Sequence, residues 1–147
     1  MPGVEEIAAL LGYASDDSLT NLREALHSAT SAVPGDQSNK PLAWLGDAVV
    51  YFAVSENVFS RLRGVSLGEL DGERQPLIGK IKLAEIAVNL GFHAFIEPPL
   101  SEAVARTQLE TMEAAFEGVV GALFLDKGLS AASEFVRRSL ALPPLRE

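Results

Sequence analysis

Between Pro41 and Phe59 the chain reads PLAWLGDAVVYFAVSENVF, and from Leu42 to Val54 only Gly46 and Asp47 interrupt the apolar residues. A helix that is apolar on every side has no face to turn to water and belongs at the centre of a domain. A second segment has the same character: AAFEGVVGALFL (114–125) holds one charged residue, Glu117. The longest uncharged apolar stretch, Gly118 to Leu125, falls far short of the ~20 residues a membrane span requires. Two core helices of this kind predict an all-α fold packed around them.

The remaining segments carry the same helical period. Residues 3–12 make a short amphipathic helix with Ile7, Leu10 and Leu11 inward. Asp16, Asp17 or Ser18 is expected to cap a second helix, LTNLREALHSA, with Leu19, Leu22 and Leu26 on one stripe. Residues 31–41 are rich in turn formers and read as a loop. Ser66 caps a short helix (SLGEL), and Pro76 opens another that stops at Gly91. Residues 96–100 make a turn. A long helix is expected from about Glu102 to Leu125, closed by Asp126-Lys127-Gly128, and Ser130 caps the last one. No run alternates as a strand would. With no linker or repeat to divide it, the chain reads as one domain over 1–147.

There is no cysteine, which excludes a disulfide framework, a thiolate zinc site and a thiol nucleophile. Neither a serine-hydrolase pattern nor a Gly-rich phosphate loop is present. The opening MPGVEEIAALLGY has no basic n-region, so a soluble, cytoplasmic protein is expected, with no membrane partner. The net charge is −8. Phosphate neutralisation needs a basic face, so nucleic-acid binding would require a local patch that this total conceals.

The chemistry lies in the two acids. Asp47 and Glu117 each sit inside an apolar helix beside a glycine, Gly46 and Gly118, where backbones can approach closely. A lone carboxylate in a core is costly unless it is paired or bound to metal. Either each acid caps a helix or pairs with a buried arginine such as Arg74, or both face one cavity and share Mg²⁺ or Mn²⁺, which favour carboxylate and water oxygens.

NKPLAWLGDAVVYF (39–52) resembles the ribonuclease III signature, with its acid-bearing Leu-Gly-Asp-Ala-Val on a buried helix. TMEAAFEGVVGALFLDKG (111–128) resembles that family's second helix, and GELDGERQPLIGKIKLAEIAVNLGF (68–92) and the front end match in length and pattern. The resemblance covers nearly the whole chain and implies the helical fold of the ribonuclease III endonuclease domain. It puts Asp47 and Glu117 at metal-binding, catalytic positions. Alanines stand at two further acid positions, Ala43 and Ala114, while Ile81 and Lys40 occupy two more polar or acidic ones. LAWLGDAVVY is also similar to the short Mini-ribonuclease III branch, which lacks the same two acids. Glu113, four residues before Glu117 and on its helical face, is the candidate third ligand. Trp44 falls where the family places an aromatic that inserts into its twin subunit. His27 and His93 are expected to be structural and superficial, respectively.

The resemblance thus implies a homodimeric, Mg²⁺- or Mn²⁺-dependent endonuclease of double-stranded RNA, read by A-form shape. No double-stranded RNA-binding domain is expected after residue 147, so weak, salt-sensitive binding is expected, helped by a protein partner that supplies RNA affinity. The other reading is a module that keeps the fold without the chemistry and docks on RNA, a ribosome or an active relative.

Overall fold

The computed structural model describes residues 3–28 and 38–145; most of the expected 31–41 loop lies outside them. Eight α-helices follow in order: α1 (Val4–Leu10), α2 (Thr20–Ala25), α3 (Lys40–Arg61), α4 (Leu67–Ile78), α5 (Lys80–Asn89), α6 (Glu102–Ala105), α7 (Leu109–Lys127) and α8 (Leu129–Ser139). A 3-10 turn at Phe92–Ala94 stands between α5 and α6. Among the described residues no strand forms; one isolated parallel bridge, His27 to Glu97, ties the exit of α2 to the loop after the 3-10 turn.

The packing is centred on α3 against α7, with α5, α2 and α8 surrounding α7. Met112 and the run Ala115 to Leu123 are buried along α7, and Phe116 stacks on Phe135 of α8 at 5.7 Å between ring centroids. Helix α3 departs from the expectation of complete burial. Its inner stripe, including Val50, Ala53 and Val54, is enclosed, but Trp44 is 80% exposed and Tyr51, Phe52 and Phe59 also reach the surface. Among the described residues, one apolar side of α3 is therefore left partly uncovered, most of all at Trp44.

Several boundaries differ from the sequence reading, each for a local reason. Leu19, not Asp16, Asp17 or Ser18, stands at the N-cap of α2; the Ser18 hydroxyl, one residue earlier, accepts from the Thr20 amide at 3.4 Å, and the Asp17 carboxylate accepts from the Ala14 amide and Lys127 Nζ. Ser66 caps as expected, its Oγ accepting from the Glu69 amide at 3.2 Å. The helix it starts continues through Pro76, and the break comes at Gly79, which is extended at ψ 157°. Pro76 has no N–H to donate to the Gly72 carbonyl, so the helix loses one bond there and runs only two residues further, to Ile78. The long helix expected from Glu102 is two: Ser101 caps the single turn α6. The Thr107 hydroxyl then donates to the Val104 carbonyl at 2.7 Å, a side-chain bond that competes with helix continuation. Helix α8 starts at Leu129 straight after Gly128, so Ser130 lies inside it and caps nothing.

Candidate metal centre

The site is built by the contact of α3 with α7. A Cβ at residue 46 would overlap the Glu117 backbone carbonyl, and one at residue 121 would overlap the Leu42 carbonyl. Only hydrogen fits at either place, so Gly46 and Gly121 let the two backbones touch. Gly118, expected to serve this contact, instead faces α2, with its own Cβ position 3.2 Å from the Ala25 carbonyl oxygen.

Beside the contact lies an open cleft of about 440 Å³ lined by Lys40, Ala43, Trp44, Asp47, Glu113 and Glu117. The helical period explains the membership. Residues 40, 43, 44 and 47 stand at i, i+3, i+4 and i+7 on α3, and 113 and 117 at i and i+4 on α7, so each set forms one stripe. The two acids do not share one environment. Glu117 is 8% exposed, whereas Asp47 is exposed, contrary to the expectation that both are buried. Asp47 comes off the outer stripe of α3, and only the Gly46 contact holds it next to the core.

The electrostatics follow from that asymmetry. Burial first, then a side-chain hydrogen bond with Asp47, then the charges of Glu113 and Asp47, push the Glu117 carboxyl up to about 9. That shift favours the protonated form of Glu117 at neutral pH, in a hydrogen bond with Asp47. Burial also raises the Glu113 carboxyl, with Lys80 opposing and Asp47 adding to the shift. Arg74, the alternative partner for a buried acid, is engaged elsewhere. It donates to Asp71 at 2.8 Å and to Ser55 at 2.9 Å, with its guanidinium 4.3 Å from the Tyr51 ring centroid.

Among the described residues no group of three or more His, Cys, Asp or Glu gathers as a metal cluster. The cleft offers a carboxylate pair, Asp47 with Glu117, and Glu113 flanks it. That donor set fits a hard divalent cation: Mg²⁺ is held through one or two carboxylates and keeps several waters, and the open cleft leaves room for them. Ala43 lines the cleft where the resemblance puts a glutamate. Trp44 stands on its rim, exposed. Neither histidine lines it; both are partly covered, with His27 Nε2 and His93 Nδ1 buried, so His93 is less superficial than expected. The residue that the sequence reading underused is Lys40. Its spacing of seven from Asp47 was the available signal.

Residues 22–143 match the family model described as ribonuclease-III-like. Curated relatives named ribonuclease 3 include that of Symbiobacterium thermophilum, 39% identical over 137 residues (90% of this chain, 57% of the relative). That of Chlorobaculum tepidum is 34% identical over 116 residues (78% and 43%). The chain spans about half the length of the curated relatives it matches. Among solved structures, the nuclease domain of ribonuclease III from Campylobacter jejuni, described for flexibility in a region involved in dimer formation, superposes with a TM-score of 0.78 at 26% identity. The match covers 93% of this chain and 95% of that one. With the helical architecture and the α3–α7 acid pair already in place, these matches leave one assignment: the chain belongs to the ribonuclease-III-like family.

Proposed function

We propose that this chain is a divalent-metal-dependent endoribonuclease of the ribonuclease III type that cuts double-stranded RNA as a homodimer. The observation that carries the reading is the meeting of Asp47 and Glu117 in a cleft open to solvent, one exposed and one buried. Asp47 presents a carboxylate at the mouth. Glu117, held by the core, releases its proton when a positive charge enters and then supplies the second oxygen donor. Glu113 adds negative charge at the edge and is the candidate third ligand, directly or through water. When bound, Mg²⁺ or Mn²⁺ acidifies a water and neutralises charge on the phosphate under attack. The protein's part is to fix the donors, which the α3–α7 backbone contact does.

Incubation with long double-stranded RNA and Mg²⁺ or Mn²⁺ tests this. The expected result is cleavage to short duplexes, reduced at least ~100-fold by Asp47→Asn, since even outer partners of metal ligands are worth ten- to a hundred-fold. Wild type that leaves the RNA intact with both cations would favour the second reading, a non-catalytic module, for which Ala43 in the cleft wall speaks.

The dimer rests on Trp44 and the uncovered aromatic side of α3. Aromatic anchors of this kind carry much of an interface's binding energy. Sedimentation of wild type is expected to give a dimer, and Trp44→Ala to shift the population to monomer. A monomeric wild type would remove the dimer from the proposal.

A further inference from the structure

The lysine in the cleft is unusual in its company. Three acidic side chains (Asp47, Glu113 and Glu117) share the cavity with one ammonium, Lys40, yet among the described residues Lys40 makes no ion pair with any of them. The other lysine near these acids, Lys80, is engaged: its Nζ donates to Glu110 at 3.0 Å. Among the described residues, the hydrogen bond recorded for Lys40 outside the helix ladder is a backbone one, its amide donating to the Ser38 hydroxyl at 3.3 Å.

Helix stability gives no reason for a lysine there. Lys40 is the first residue of α3, at the positive end of the helix dipole, where a cation is unfavourable and an acid would help by several tenths of a kcal/mol. Nor is it a spacer for the core, since it is exposed. It stands two turns from Asp47 on the same stripe, about 10 Å along the axis, so its flexible stem can place a charge between the acid pair and the outer rim. The wall around it lacks carboxylates at Ala43, so a polyanion entering the cleft meets one cation and less repulsion than a fuller acid set would impose.

We infer that Lys40 is a substrate-binding residue that holds a backbone phosphate of duplex RNA beside the Asp47–Glu117 pair. It offsets part of the phosphate charge at a place where the cleft has lost acids. The inference rests on the nuclease reading for its geometry, but its first test is binding and not cleavage.

A blunt RNA duplex of defined sequence is titrated with the full chain across a range of salt concentrations, without divalent cation. Each phosphate contact contributes about one unit to the slope of log affinity against log salt. Lys40→Ala is expected to make that slope shallower by about one and to weaken binding roughly ten-fold, while Lys40→Arg retains both. Lys127→Ala, which removes a charge paired with Asp17, is the control and should leave the slope alone. Cleavage with Mn²⁺ is then expected to be at least ~10-fold slower for Lys40→Ala at limiting RNA. An unchanged slope for Lys40→Ala, an equal loss from Lys127→Ala, or no duplex binding by wild type would each overturn the inference. If the slope falls as expected but wild type cuts nothing, the Lys40 contact stands and the nuclease reading fails.

Discussion

Gly46→Ala is expected to lower the melting temperature by on the order of 10 °C or to prevent folding outright. The added Cβ meets the backbone carbonyl of Glu117, which cannot rotate away as a side chain would, so α3 and α7 must separate along their whole contact. Overpacking costs about 1–3 kcal/mol where side chains can yield, and more where they cannot. At this chain length each kcal/mol is worth about 3 °C. Gly72→Ala supplies the comparison. Gly72 lies in the middle of α4 with open space around its Cβ position, so the same methyl is expected to raise stability by roughly 0.5–1 kcal/mol through helix propensity. Thermal unfolding of both proteins checks the pair. A Gly46→Ala protein as stable as wild type would mean that the helices do not touch at this point, and the site built on that contact would fall with it.

The second large effect links protons, cation and stability. The Glu117 carboxyl rises from 4.5 in the unfolded chain to about 9 in the folded one, so between those values the native state holds a proton that the unfolded chain has released. Stability must therefore be greatest below 4.5 and decline as pH climbs toward 9, at a limiting slope of ~1.4 kcal/mol per pH unit. Other groups add their own slopes, so the informative quantity is the difference between wild type and Glu117→Gln, which has no proton to lose. A cation bound to the folded state alone adds RT ln(1 + [L]/Kd), about 2.7 kcal/mol at a hundred-fold excess over Kd, and does so best where Glu117 is already ionised. Millimolar Mn²⁺ is expected to raise the melting temperature by several degrees, more at pH 8 than at pH 6, and Glu117→Gln to abolish most of the rise. A melting temperature that ignores Mn²⁺ at both pH values would remove the metal from the proposal and leave the acid pair as a structural hydrogen bond.

The helical class is legible in the residue pattern, because two segments without a polar face can be satisfied only at the centre of other helices. The pattern also singles out Asp47 and Glu117, since a carboxylate in such a segment stands out against its neighbours at any reading distance. Spacing within one helix was legible for the same reason: Glu113 with Glu117, and Trp44 with Asp47, share a face through the 3.6-residue period alone. What the period cannot give is the relation of one helix to another. The close approach at Gly46 and Gly121, and the turning of Gly118 toward α2, depend on the crossing of α3 and α7, which many distant residues fix together. The same packing decided that Asp47 is exposed while Glu117 is buried, that Arg74 is spent on Asp71 and Ser55, and that Lys40 lines the cleft with no ion pair among the described residues. Helix ends depart from the pattern where a side chain finds another hydrogen-bond partner, as where Asp17 accepts from Ala14 and Lys127 and Thr107 donates to Val104. Pattern records which residues prefer to be hidden; only tertiary contact decides against what, and so which charges meet.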